Sequence, residues 1–356
     1  MSFSLPQAAM ALSNQLVCRL EYCKINDLAT KGSSDARGQV DLKHQSEFDL
    51  GILVEEVTTV LCAGRKSQCS TNIPIVASGP SEEACNSDEV SVIVRIQQLD
   101  AWMVQSTAGA WRRILMNIIG NAMKWTKKGF VEVVLTEAKL ENRQGSSFAH
   151  VSVRDTGCGI SRPFLKDMLF SPFAQEDPLS PGIGLGLSIA RKLVTSLGGN
   201  IRVKSEIGAG TQVDIFMPVT AAQSVEIADR RSSITKDFAP PTSINASILG
   251  LQLHPEVDEV PTGILGVDAK RKLSIRHALM DVFATRLGWQ LSPRKPSDRM
   301  HGDVAIVEEA DFSHMLSEGL LQIDPKHVRD YFIVLGDRKM LPADVLPANI
   351  IRVSPP

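Results

Sequence analysis

The 356-residue sequence contains no uninterrupted apolar stretch near the roughly 20 residues that span a bilayer. Its start, MSFSLPQAAMALSNQL, lacks the basic opening and long apolar core of a secretory signal. From these absences we expect a soluble, cytoplasmic chain without a membrane partner. Charge of one sign is also lacking. A formal net charge of -2 offers no broad attraction for nucleic acid or anionic lipid, so no nucleic-acid partner is expected. The six cysteines, Cys18, Cys23, Cys62, Cys69, Cys85 and Cys158, form neither CxxC pairs nor a set with matching histidines. That argues against structural zinc and for reduced, mostly structural thiols. No internal repeat occurs, which excludes a solenoid.

What is present suits a globular chain: 43% apolar and 22% charged residues, long enough for roughly two domains. From Ala9 to Leu28, Leu12, Leu16, Leu20, Cys23, Ile25 and Leu28 recur at helical steps, predicting an amphipathic helix that needs a partner. Residues 30–46 and 64–90 read as loops, with a helix between them carrying Leu50, Leu53, Val54, Val57, Val60 and Leu61. From Val92 to Pro218 strands and helices alternate: VIVRI, a helix over 111–125, FVEVVL, HVSVRD, a helix over 187–197, IRVKSE and TQVDIFMP. Alternation of apolar residues at Val151 and Val153, and at Val213, Ile215 and Met217, suits a sheet covered on one face. Residues 219–262, with four prolines and no sustained period, read as a linker. Beyond it a strand over 263–267, a helix over 272–287 closed by Gly288, and the strands DVAIV, YFIVL and NIIRV predict a small parallel α/β unit.

Three motifs carry chemistry. In the helix over 111–125, Ile114, Leu115, Ile118, Ile119 and Ala122 form a core stripe, while Asn117, Asn121 and Lys124 share another face. Two amides and an ammonium there could bind magnesium through oxygen and phosphate through the lysine, or simply be solvated. The second motif is DTGCGI, with Asp155 at a strand end and Gly157 and Gly159 beyond it. A carboxylate so placed accepts from an amine, and glycines permit close approach to a flat ring; a tight turn explains the pattern equally. The third is Gly182, Gly184 and Gly186, with Leu185 and Leu187, opening a well-patterned helix. Amide hydrogens and the positive end of the helix dipole would meet phosphate oxygens there, although a hinge has the same composition.

In chain order, NIIGNAMKWT, DTGCGI, LFSPFAQED and GIGLGLSIARKLVTSLGGNIRVKSEIGAGTQV resemble the ATP-binding domain of sensor histidine kinases, particularly fungal hybrid kinases. The resemblance covers roughly residues 46–218. It implies a Bergerat-type two-layer α/β sandwich, a mixed sheet covered by helices on one face, with ATP and Mg2+ as cofactors beneath a mobile lid over about 161–183. Asp155 would receive the adenine amine, and Gly157 and Gly159 would shape the ring pocket. Asn121 would ligate magnesium, and Lys124 would approach phosphate. Gly182, Gly184, Leu185, Gly186 and Leu187 would wrap the phosphates, Thr211 would lie near the adenine, and Phe170 and Phe173 would belong to the lid. Asn117 holds the catalytic position where related ATPases such as gyrase and heat-shock chaperones keep a glutamate. An amide is no base at neutral pH, so transfer to a protein acceptor is favoured over hydrolysis. Ile183 and Trp125 depart from the family's usual threonine and phenylalanine or tyrosine.

The same resemblance requires a phosphoacceptor histidine followed by an acidic residue and a proline. None of His44, His150, His254, His277, His301, His314 or His327 has that context. Residues 1–30 resemble the remnant of a second dimerisation helix, whose first helix we expect to be absent, and residues 8–28 would offer a homodimer face. The chain would then act as a protein-histidine kinase only in trans, on another chain's dimerisation domain or with a receiver protein. The alternative is a noncatalytic pseudokinase that binds ATP or an intact kinase. Residues 263–356 resemble a degenerate, truncated receiver. Its first strand would end in Asp268 and its third in Glu308 and Glu309, and no lysine follows the last strand.

Overall fold

The computed structural model describes residues 45–70, 90–97, 102–139, 147–177, 182–221, 244–250, 266–286, 288–294, 304–318, 331–336 and 350–353. The readings for residues 1–30 and for His44 lie outside them. The chain divides into two compact units, one over Asp27–Gln223 and one that includes Ser224–Pro356.

The first unit begins with a short strand β1 (Ser46–Asp49) and helix α1 (Leu50–Ser70). Asp49 Oδ1 accepts from Ile52 N at 3.0 Å, satisfying one of the amides that a helix start leaves unpaired. Strands β2 (Val90–Ile96) and β3 (Met103–Ser106) follow, then helix α2 (Ala108–Trp125). Strand β4 (Gly129–Lys139) and β5 (Ser147–Asp155) lead to the short helix α3 (Arg162–Asp167). Helix α4 (Gly186–Ser196), β6 (Asn200–Glu206) and β7 (Gly210–Ala221) complete the unit. The sheet order is β1-β3-β7-β5-β4-β2, with β6 also on β7. Among the described strands of this sheet only β2 and β4 pair in parallel, which makes the sheet mixed as the resemblance implied.

Alternation along the strands separates two faces. Val131, Val133 and Leu135 of β4, Ala149, Val151 and Val153 of β5, and Val213, Ile215 and Met217 of β7 join one core with Leu50, Leu53, Val54 and Val57 of α1. Helix α2 enters the same core through Trp111, Ile114, Leu115, Ile118, Ile119 and Ala122, and α4 through Ala190 and Val194. Each fully buried aliphatic side chain of this kind contributes about 1.5–3 kcal/mol.

Three differences from the sequence reading have physical causes. Helix α1 continues through residues read as a loop. Arg65 donates to Met123 O at 2.7 Å and Thr126 O at 3.0 Å, capping the end of α2 from a distance. Val60, counted in the apolar stripe, is 55% exposed. Strands β1 and β3 escaped notice because four residues are too few for a period to show, and they exist only by pairing with each other and with β7.

The second unit corrects the reading more strongly. Among the described residues its first strand is β8 (Asn245–Leu249), inside the segment read as linker, while most of the strand expected over 263–267 lies outside the described residues. Val267 and Asp268 instead open helix α5 (Val267–Leu279), which widens into a π-helical turn over Met280–Arg286. Then come β9 (Gln290–Arg294), β10 (Val304–Glu308), α6 (Glu309–Ser317), β11 (Tyr331–Leu335) and β12 (Ile350–Val353). All pairings are parallel, in the order β12-β11-β10-β8-β9. Counted within the unit this is the doubly wound order 2-1-3-4-5. Ile248, Phe283, Trp289 and Ile306 pack on one side of the sheet, and Val307, Phe312, Met315 and Val334 in a separate cluster. A five-residue strand beside prolines has no local signature; its buried parallel neighbours make it a strand.

On the first unit's other sheet face, His150 Nε2 lies 3.0 Å from Asp214 Oδ1 and its ring stacks on Phe216 at 4.3 Å. Burial pushes the Asp214 carboxyl up. Hydrogen bonds from His150, Gln212 and Ser152, with the charge of His150, overcome that and bring its pKa to about 2. A carboxyl depressed in the fold adds stability that is present above its unfolded pKa and is lost as pH falls through the folded one. Resistance of the parent to chemical denaturation should therefore fall from about pH 4 to pH 2, and Asp214→Asn should flatten that part of the profile. An unchanged profile would exclude the carboxylate as its source.

Candidate functional site

Helix α2 turns its apolar stripe to the sheet, and the other two sequence motifs meet its remaining, polar surface. Asp155, at the end of β5, is only 7% exposed. Its Oδ1 accepts from Gly157 N at 2.9 Å and Thr211 N at 3.2 Å, while Oδ2 takes neither bond. Burial raises the pKa of this carboxyl, and the two backbone donors oppose the rise. A buried carboxylate so held is fixed in place with one oxygen still able to accept.

The chain after Asp155 lies close on its neighbours. A Cβ on Gly157 would stand 2.5 Å from the Trp125 carbonyl oxygen, the last residue of α2. Gly159 has φ 72° and a side chain there would run into the Glu206 carbonyl, so only glycine fits. Thr211, 9% exposed, places Oγ1 2.9 Å from Ser205 Oγ. Ser205 Oγ also accepts from Ile160 N at 2.8 Å and donates to Gly210 O at 3.0 Å. Sequence reasoning missed Ser205, because its role appears only once β6 and β7 are in register and Ser205 faces Thr211.

Two turns earlier on α2, Asn117 donates Nδ2 to Arg113 O at 2.8 Å, which leaves its oxygen as the presented group. That oxygen lies 2.9 Å from where a Gly186 Cβ would be, at the start of α4. The N-cap residue of α4, Leu185, makes no side-chain capping hydrogen bond. Asn121 is half-buried between Asn117 and Lys124. The exposed Lys124 ammonium sits 4.4 Å over the Trp125 ring and 3.4 Å from a Cβ position at Gly182. The Trp125 end and the Asn117 end are thus separated by roughly 12 Å along the helix axis. The Trp125 end offers a buried acceptor with the Lys124 ammonium beside it, and the Asn117 end amide hydrogens and an amide oxygen.

Other residues singled out in the sequence fall differently. Leu185 stands at the cap of α4, its carbonyl accepting from Ile189 N and Ser188 Oγ. Leu187 packs partly buried against the core, so only its backbone can face the site. Gly184 has φ 71° with the Phe173 and Ala174 backbone where a side chain would go. Phe173, the one described non-glycine residue with positive φ (65°), donates its N–H to Gly184 O at 3.0 Å, and its ring is 68% exposed. Phe170 lies 4.7 Å beneath the Arg191 guanidinium, and Ser161 N donates to Glu176 across the expected lid.

Comparison with known proteins bears on the family and the fold of this unit. Residues 107–221 match the family described as Histidine kinase-, DNA gyrase B-, and HSP90-like ATPase. The virulence sensor protein BvgS of Bordetella bronchiseptica is 42% identical over 119 residues, covering 32% of this chain and 9% of that protein. Hybrid signal transduction histidine kinase A of Dictyostelium discoideum is 30% identical over 165 residues, 43% of this chain and 8% of its own length. The chain thus spans a small part of these relatives. The crystal structure of full-length ShkA in complex with AMPPNP shares the fold, with a TM-score of 0.51 at 19% identity over 82% of this chain and 49% of that one. Among the described residues no helix is long and apolar enough to cross a membrane. Over residues 107–221 the chain carries a histidine kinase-type ATP-binding domain, related to those of hybrid sensor kinases.

Proposed function

We propose that this domain binds ATP with magnesium and passes phosphate to a histidine on another chain. The observation that carries the reading is the convergence of Asp155, the glycine loop and the polar face of α2 on one site. Asp155 Oδ2 would accept from the adenine amine, and Thr211 and Gly157 hold the carboxylate for it. The first turn of α4, which its N-cap residue Leu185 leaves without a side-chain cap, with the Lys124 ammonium beside Gly182, suits phosphate oxygens, and this donor set fits the nucleotide. Asn121, with Asn117 one turn before it, would hold magnesium, which supplies charge neutralisation between phosphate oxygens. Asn117 presents an oxygen and not a base, so water is not activated there.

Transfer in trans rests on the histidines. The described ones, His150, His277 and His314, have no acidic residue and proline after them, and His150 is engaged by Asp214. The fungal subtype, cytoplasmic placement and a homodimer through residues 8–28 belong to the same proposal. So does a receiver origin for the second unit. Its strand order suits that origin, and Glu308 at the end of β10 is held by Arg271 at 2.7 Å, where a receiver would keep a phosphoaccepting aspartate.

Labelled ATP and magnesium should leave the chain itself unlabelled while label passes to a separately supplied dimerisation hairpin. ATP binding without any transfer would instead favour a noncatalytic, regulatory pseudokinase. Asp155→Asn should lower ATP affinity roughly ten-fold or more by calorimetry, since a desolvated charged hydrogen bond is worth about 1.5–3 kcal/mol. Unchanged affinity would refute the pocket. Asn121→Ala, off the core stripe, should keep the thermal unfolding transition yet abolish the gain in ATP affinity that magnesium confers. Retention of the full magnesium effect would place the metal elsewhere.

A further inference from the structure

The carbonyls in the last turn of an α-helix have no intrahelical N–H to accept from. At the end of α2 one of them, and the carbonyl of the cap residue beyond it, are met from another helix. Arg65 of α1 donates Nη1 to Met123 O at 2.7 Å and Nη2 to Thr126 O at 3.0 Å. These two carbonyls bracket Lys124 and Trp125. Met123 O belongs to the planar peptide group that carries the Lys124 N–H, so holding it fixes the plane from which the Lys124 side chain departs. The Lys124 ammonium lies 4.4 Å over the Trp125 ring and 3.4 Å from the Cβ position of Gly182, and the Trp125 carbonyl accepts from Cys158 N at 3.4 Å. Closing the helix does not need Arg65, because the Thr126 N–H and Oγ1 both donate to Ala122 O, at 3.2 and 2.7 Å. What the guanidinium adds is a rigid fork that sets two carbonyls at once.

We propose that Arg65 is a positioning residue for phosphate binding: it pins the end of α2 so that the Lys124 ammonium is presented beside the glycine loop. The proposal rests on ATP binding at this site and brings α1, which carries none of the three motifs, into the phosphate grip. Arg65 acts through the Met123 and Thr126 carbonyls and not on the nucleotide. Without it the last turn keeps its helical closure at Thr126, but the peptide planes on either side of Lys124 and Trp125 are free to tilt. A long side chain anchored on a tilting plane spreads over more positions, and less of its population faces the phosphate.

The test is ATP affinity by calorimetry, with magnesium, on the full chain in four forms: the parent, Arg65→Met, Lys124→Met and the double variant. Arg65→Met keeps an apolar stem and loses both donors. Each single change should lower the affinity about five-fold. Because both act on one ammonium, the double variant should fall no further than about two-fold below Lys124→Met, whereas independent effects would multiply to roughly 25-fold below the parent. Arg65→Lys keeps the charge but cannot fork across two carbonyls, so it should still lose about three-fold, and it enters the cycle if Arg65→Met fails to fold. Losses that multiply, or a parental affinity in either Arg65 variant, would overturn the proposal while leaving ATP binding intact. A parent that binds no ATP would overturn the reading beneath it as well.

Discussion

Helix α2 buries Trp111, Ile114, Leu115, Ile118 and Ile119 against the sheet, and with 3.6 residues per turn that burial dictates where every other residue of the helix points. Asn117, Asn121 and Lys124 are outside the stripe because the stripe is inside. Three chain segments then come to rest on the remaining surface: the DTGCGI turn against the Trp125 carbonyl, the Gly182 turn at the Lys124 ammonium, and the start of α4 at the Asn117 oxygen. Loss of the apolar face would remove the reference against which all three are placed.

Asp155 illustrates how the site tolerates a charge in a nearly dry position. An isolated carboxylate at that depth would be driven toward its neutral form, and burial does raise its pKa. The backbone N–H groups of Gly157 and Thr211 offset part of the penalty, one from the adjoining turn and the other from β7, 56 residues away. The close approach of both segments requires glycines. Gly159 and Gly210 have positive φ with carbonyl groups of other strands or turns where a Cβ would go. Backbone compactness and carboxylate placement are thus one arrangement, continued through Ser205 to Ile160 and Thr211.

The second unit applies a different rule. Of its five parallel strands, β8, β10 and β11 are buried along most of their length, and near-continuous apolar segments such as VAIV and FIVL follow from that. Glu308, at the carboxyl end of β10, meets Arg271 of α5 through two hydrogen bonds, at 2.7 and 3.2 Å, with Asp268 on the same guanidinium. The acidic residue that closes the third strand is therefore committed to an internal ion pair.

The amino-acid sequence by itself determined the helix α2 stripe, the long strands β4, β5 and β7, the turn at Asp155 and the glycine loop before α4. Each is encoded within a dozen or so neighbouring residues, by a period, a turn former or a run of glycines, so local physics suffices to see it. Beyond local reach lay β1 and β3, the strand β8 hidden in an apparent linker, the capping of α2 by Arg65, and the seat of Asp268 on a helix and not at a strand end. Ser205 belongs with them, since nothing in VKSE announces a hydroxyl that three segments share. These features exist because residues far apart in the chain supply each other's hydrogen-bond partners and buried surface, and only the folded backbone decides which distant residues meet.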